Sequence, residues 1–519
     1  MAPVSAKADL VLHQGVILGH RESDSVAVGG GRIISHGRFA DLKALVGPRT
    51  HLIKLGGRTL APGFVDAHLH FLEAASAVSG LTVWRCRTIA DLLADLRVGA
   101  GRTPPGNWLR AFGCDEALLA GGRGPTRQEL DQAVAKNPLR LRHQTLHASW
   151  LNSRAINQLG LEAENFRPPD GATMFRDPAG LLTGLVAGME PWLTLHLPLV
   201  TKAELEARAR TMSRELSAAG VTAFTDATVR NGPEEVELFA KLVSSGAICQ
   251  RVAMMLGARH LEAATKSAEV ARAAGIHMAG LKFMPGTRYD GSTVARRVRI
   301  GLTSGLDCAF HATEVEELDE ALDAIELARQ QIGAGETPAV CRIEHGGVIT
   351  PEHIARLVAA RAWVATNPGF IHFRGPKYAG EPGLAPYLYR AASLRAAGIE
   401  IAGGSDAPVT PARPLAAIAA AISRATLDGV VLGAEERLAP ADAFALFTRD
   451  AARLQRLQAG EIAAGMLADL IVLPRDPMTL GAAELFTLNV DLTVIAGRVV
   501  YERGRPAIAY SDSADLHSV

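Results

Sequence analysis

Between residues 208 and 455, short apolar runs alternate with Ala-, Leu- and Glu-rich helical stretches, and this alternation restricts the possible folds more than any other feature. The runs include Val221-Thr-Ala-Phe-Thr, Gly280-Leu-Lys-Phe-Met, Asp307-Cys-Ala-Phe, Cys341-Arg-Ile-Glu, Trp363-Val-Ala-Thr and Ile399-Glu-Ile-Ala-Gly, with helical stretches such as 314–332 and 414–425 among them. Strands alternating with helices over this length build βα units around a parallel sheet. The chain has 519 residues, enough for an α/β fold of the (β/α)8 TIM-barrel type with accessory parts. Residues 72–207 break the rhythm, with loops at Thr103-Pro-Pro-Gly and Gly121-Gly-Arg-Gly, and read as an insertion after the first barrel strand. Both ends are strand-like, so residues 1–60 and 460–519 are expected to form one small β-sandwich domain, with 61–459 as the barrel domain. No helix follows Gly29-Gly30-Gly31, which therefore reads as a hairpin turn rather than a phosphate cradle.

Lys plus Arg and Asp plus Glu both number 54, giving a formal net charge of zero. Such balance lacks the basic footprint of a nucleic-acid or membrane-surface protein and points to a small-molecule substrate, with a homo-oligomer left open. No stretch approaches the ~20 apolar residues of a membrane-spanning helix, and the opening Met1-Ala-Pro-Val-Ser-Ala-Lys-Ala-Asp carries no secretory apolar region. Cys86, Cys114, Cys249, Cys308 and Cys341 are scattered, which predicts reduced thiols and a cytoplasmic location.

The chemistry lies where the apolar runs end. In Leu60-Ala-Pro-Gly-Phe-Val-Asp-Ala-His-Leu-His, His68 and His70 have the spacing that puts both side chains on one face of a strand. Lys282, His311, His345 and Asp406 each sit at the end of a later run. Barrel enzymes gather their catalytic groups at the C-terminal strand ends, so these six residues are expected to converge there. Four histidines and an aspartate suit Zn²⁺ or a similar divalent ion. A lysine ammonium would repel such an ion, unless CO₂ carbamylates the amine into a carboxylate that bridges two ions. Two ions about 3.5–4 Å apart can share a hydroxide that is nucleophilic at neutral pH. Taken singly, each residue has a plainer reading: His311 or His345 as a hydrogen-bonded core histidine, Asp406 as a helix N-cap.

Pro62-Gly-Phe-Val-Asp-Ala-His-Leu-His, Arg342-Ile-Glu-His and Gly404-Ser-Asp-Ala-Pro-Val resemble the metal-binding motifs of the amidohydrolase superfamily. Leu146-His-Ala-Ser-Trp-Leu-Asn-Ser-Arg-Ala, Gly280-Leu-Lys-Phe and Gly465-Met-Leu-Ala-Asp-Leu-Ile-Val-Leu narrow the resemblance to its amidohydrolase-3 branch, which includes N-substituted formamide deformylases. The resemblance implies a binuclear centre in which His68 and His70 bind the more buried ion and His311 and His345 the more exposed one. Carbamylated Lys282 would bridge the ions, and Asp406 would complete the first ion's shell and act as general base. His147 matches a histidine that faces substrate.

Two segments depart from the branch pattern: Lys282-Phe-Met-Pro-Gly-Thr-Arg-Tyr-Asp-Gly-Ser and His311-Ala-Thr-Glu. The second resembles the His-x-x-Glu of mononuclear deaminases and opens an alternative in which Glu314 shuttles protons. A non-catalytic barrel scaffold is a third reading, and it predicts eroded ligands, whereas all six are present. Trp84, Trp108, His143, His147 and Trp150 in the insertion, with Arg288, Tyr289, Phe370 and His372 from barrel loops, are expected to line the substrate site. Of these, His147, Arg288, Tyr289 and His372 are the candidate substrate contacts. Such a lining suits a small neutral amide, carbamate or cyclic amide.

Overall fold

Eight strands form one sheet in which sequence order and spatial order coincide. They are β1 (Phe64–Leu69), β2 (Val221–Asp226), β3 (Arg251–Gly257), β4 (His277–Phe283), β5 (Cys308–Ala312), β6 (Cys341–His345), β7 (Trp363–Thr366) and β8 (Ile401–Gly403). Every pairing is parallel. The computed structural model describes residues 7–198, 200–286, 291–333, 337–378, 380–381 and 383–505.

The strands are buried nearly end to end, as in parallel sheets covered on both faces. The helix Val315–Ile332 between β5 and β6 buries Leu318, Ala321, Leu322, Ile325 and Ala328, a stripe at helical period. Past the last barrel strand, Asp406 N donates to His68 O at 2.7 Å and His70 N donates to Ala407 O at 2.8 Å. These bonds bring the segment after β8 onto the end of β1, and the sheet becomes a nearly closed (β/α)8 barrel.

Strands from both ends of the chain share a second core. A four-stranded sheet runs Arg32–Gly37, Ser25–Gly29, Leu10–His13, His51–Lys54. A five-stranded sheet runs Val16–Ile17, Thr59–Pro62, Leu470–Leu473, Leu492–Ile495, Arg498–Glu502. Leu10, Leu12, Val26, Val28 and Ile33 pack in one cluster with Leu60, Leu470, Val472 and Val494. The glycine triplet is a hairpin turn between Ser25–Gly29 and Arg32–Gly37, with Gly30 and Gly31 at φ 56° and 73°.

The chain divides into two units, one comprising residues up to Phe71 together with those from Met212 onward, the other Leu72–Thr211. The second unit holds a six-stranded mixed sheet, Thr173–Arg176, Leu182–Ala187, Ala148–Leu151, Leu139–His143, Leu109–Cys114, Leu81–Thr82. Its core includes Leu92, Leu96, Leu130, Leu141 and Trp150. No described helix is long and apolar enough to cross a membrane.

One buried ion pair ties the barrel to the terminal strands. Arg251, which opens β3, donates to Asp469 through Nε at 2.7 Å and Nη2 at 3.3 Å. Asp469 Oδ1 also accepts from Ala496 N at 2.8 Å. Asp469→Ala leaves the guanidinium buried without its partner and should cost about 3–5 kcal/mol. Urea unfolding monitored by circular dichroism should show an earlier midpoint; an unchanged midpoint would remove this tie from the account.

Candidate active site

The residues singled out in the sequence lie at the C-terminal ends of β1, β4, β5, β6 and just beyond β8. His68 Nε2 is 3.4 Å and His70 Nε2 3.0 Å from Asp406 Oδ1. His345 Nε2 is 3.0 Å from His311 Nδ1. The rings of His68 and His345, 4.7 Å apart between centroids, connect the two groups. Lys282 ends in the same region, where its amine interacts electrostatically with Glu344 and Asp406. His68, Lys282, His345 and Asp406 are buried, and His70 and His311 are partly exposed.

Among the described residues, several buried polar atoms here have no hydrogen-bond partner: His68 Nε2, Lys282 Nζ and Asp406 Oδ1. An unpartnered buried polar atom is costly, and three aimed into one region of a protein interior need a ligand to satisfy them. The ligating atoms of His68, His70 and Asp406 all lie within 4.8 Å of one another. Nitrogen and carboxylate donors so disposed fit a divalent transition ion.

Four neighbours to which the motifs assign no role hold these groups in place. Glu344 accepts from His68 Nδ1 and from Arg342, while Arg342 Nη2 also donates to Ala67 O at 3.0 Å. Asn367 Oδ1 lies 2.8 Å from His345 Nδ1. Asp66 Oδ1 accepts from His68 N at 3.1 Å and Ser405 N at 3.0 Å, joining the end of β1 to the loop carrying Asp406. A sequence signal for the first pair does exist: Arg342 and Glu344 alternate within an otherwise apolar buried strand. The adjacency of Glu344 and His345 on the same site was not readable, because alternation sends neighbours to opposite faces. His345 has φ 72°, a left-handed conformation that ends the alternation, and Asp406 follows with φ 56°.

Electrostatics separates the roles. Burial lowers the Lys282 pKa to about 8, against the opposing pull of Glu344. Burial would raise Asp406, yet His68 and His70 beside it hold its carboxyl well below the usual range. Glu344 is likewise held low despite burial, by Arg342 and Lys282. Burial and His311 push His345 well below the ordinary histidine value, so its ring is neutral.

Other expected positions fall elsewhere. Glu314 is exposed and occupies the N-cap of Val315–Ile332. Glu317, not Glu314, is the acid near the histidines: its Oε2 is 3.9 Å from His311 Nε2 and accepts from Thr313 N at 2.7 Å. His372 donates from Nδ1 to Ala425 O at 3.0 Å and packs its ring on Phe486, a setting that packing accounts for. Trp150 is a core residue of Leu72–Thr211, and Trp108 packs against a core cluster there. His147 is exposed at the start of the strand Ala148–Leu151. Arg288 and Tyr289 lie outside the described residues. Phe370 is buried with its ring 6.1 Å from that of His345.

Residues 51–501 match the amidohydrolase family. The chain belongs to that family. It is 25% identical to the N-substituted formamide deformylase of Arthrobacter pascens, with 93% of this chain and 95% of that protein aligned. It is 26% identical to the putative amidohydrolase YtcJ of Bacillus subtilis (strain 168), over 93% and 96% of the two chains. Among solved structures, an uncharacterized metal-dependent hydrolase from Pyrococcus furiosus shares the fold, with a TM-score of 0.67 at 22% identity over 91% of this chain and 100% of that one. This amidohydrolase is accordingly a metal-dependent enzyme acting on carbon–nitrogen bonds other than peptide bonds.

The amidohydrolase site depends on close approach between its first and last barrel strands. A Cβ placed on Gly404 would lie 2.7 Å from His68 Cβ and 2.9 Å from His68 N. Backbone cannot yield cheaply at that distance, so Gly404→Ala must separate His68 from Asp406. The variant is expected to lose at least about 10-fold in metal affinity, the scale set by displacing a ligand's support. Chelator competition measures it, and wild-type affinity would show that the approach is not needed.

Proposed function

We propose that this amidohydrolase hydrolyses the C–N bond of a small neutral amide-type substrate, an N-substituted amide, carbamate or cyclic amide, using two divalent ions, most simply zinc, with carbamylated Lys282 between them. The observation that carries the reading is the pair of donor groups, His68/His70/Asp406 and His311/His345, together with a buried lysine amine that interacts electrostatically with Asp406 and has no hydrogen-bond partner among the described residues. An amine with a pKa of about 8 is neutral often enough at physiological pH to react. Its lone pair adds to the carbon of CO₂ and the nitrogen loses a proton, which leaves a carbamate anion in place of a cation.

The ions, when bound, make water nucleophilic at neutral pH and polarise the substrate carbonyl. The chain's own residues supply the proton movements and the orientation. Asp406, kept anionic beside His68 and His70, takes the proton of the attacking water and passes it to the departing nitrogen. Glu344, salt-bridged to Arg342, fixes the ring of His68, and Phe370 offers an apolar face beside His345. We retain His147, Arg288 and Tyr289 as substrate contacts, and the name of the Arthrobacter relative makes N-substituted formamides the first compounds to try. Five buried free cysteines support a cytoplasmic location.

The mononuclear deaminase reading needs Glu314 at the reacting nitrogen, and its exposed capping position speaks against that. Asp406→Asn should retain metal and lose about 10²–10⁴-fold in kcat, the scale of a positioned general base. Glu314→Gln should change turnover little. Lys282→Ala should lose most metal and activity, with partial rescue by short carboxylates. These are read by metal analysis and by amine release from N-substituted formamides, carbamates and cyclic amides. A collapse of about 10³-fold in Glu314→Gln with metal retained, or ammonia release from an amino-heterocycle, would overturn amide hydrolysis in favour of deamination.

A further inference from the structure

We propose that Asn367 is the positioning residue that presets His345 to bind metal, an inference that rests on the two-ion site above. Asn367 follows β7 directly and is fully buried. Its Nδ2 donates to Gly404 O at 2.8 Å. A carbonyl oxygen can only accept, so the amide nitrogen must face Gly404 and the amide oxygen must face His345 Nδ1, 2.8 Å away. That oxygen also can only accept, so the hydrogen sits on His345 Nδ1. A neutral ring then carries its lone pair on Nε2, the atom 3.0 Å from His311 Nδ1.

The same amide joins the ends of three successive strands, through His345 at the end of β6, itself just after β7, and Gly404 just after β8. Pro368 disfavours helical backbone at the residue before it, which limits where the Asn367 side chain can start. His345 is held at φ 72°, a left-handed conformation that is unfavourable for a residue with a Cβ. Strain of this kind persists where surrounding contacts over-determine it, and the Asn367 bond is one such contact. Without the amide, the ring can rotate or carry its hydrogen on Nε2, and either change removes the lone pair from the site.

The test compares wild type, Asn367→Ala and Asn367→Asp in two measurements. Chelator titration of the metal-loaded proteins reads how many ions each chain holds and how tightly. In Asn367→Ala one ion should be held about 10–100-fold more weakly while the other keeps its affinity, as expected for loss of a ligand's orienting partner. Asn367→Asp retains an acceptor for Nδ1 and should recover most of that affinity, which a purely structural role would not produce. Histidine ¹⁵N spectra of the metal-free proteins, with the His345 signal assigned by His345→Gln, should show Nδ1 protonated in wild type and Asn367→Asp and the tautomers mixed in Asn367→Ala. An unchanged His345 tautomer in folded Asn367→Ala, or equal weakening of both ions, would overturn the inference. A wild type holding one ion contradicts the two-ion reading instead, and the metal-free spectra still decide the role of Asn367.

Discussion

The shared direction of the eight barrel strands is the constraint on which everything else depends. Parallel strands finish at the same rim, so residues as far apart in sequence as His68 and Asp406 can meet there. The register makes this concrete: Ala312 stands beside His345, His345 beside Thr366, and Thr366 beside Gly403. An antiparallel neighbour would have sent the next chemical group to the opposite rim. The seam between β1 and the segment after β8 completes the ring of candidate ligands, and the bonds of Asp66 to His68 N and Ser405 N draw it together.

Placing that site inside a barrel creates an electrostatic problem that the chain answers with its own charges. Arg342 and Lys282 face Glu344 and Asp406 in a buried setting where an unpaired charge is expensive. The Arg342–Glu344 pair is internally satisfied and supports His68 from behind. Lys282 has no such partner among the described residues, and burial draws its amine toward the neutral form. The proposed carbamate follows from this asymmetry: it adds negative charge where two cations are to be bound and turns a destabilised cation into a ligand.

Much of the fold was legible because it rests on periodicity. The strand–helix alternation from Val221 to Ile401 and the strand-like ends both appear where the sequence placed them, and the spacing of His68 and His70 correctly put them on one face. What escaped was set by contacts between segments distant in the chain. Trp150 looked like an aromatic lining and is core, because the 72–211 segment builds its own six-stranded sheet and needs apolar filling. His372 looked available and is occupied by Ala425 O and Phe486. Asn367 carries no motif of its own, and Glu344, although inside Arg342-Ile-Glu-His, shows its contact with His68 only once β6 and β1 meet at the rim; the role of Asn367 appears once β6, β7 and the loop at Gly404 lie side by side.

The central claim is that one barrel rim holds two ions with a modified lysine between them. Anomalous X-ray diffraction from crystals of the metal-loaded enzyme tests it most directly. The account predicts two anomalous peaks about 3.5–4 Å apart, one against His68, His70 and Asp406 and the other against His311 and His345, with density for a carbamate extending from Lys282 Nζ to both. A single peak beside an unmodified Lys282 in an enzyme that is active in the same preparation would contradict it.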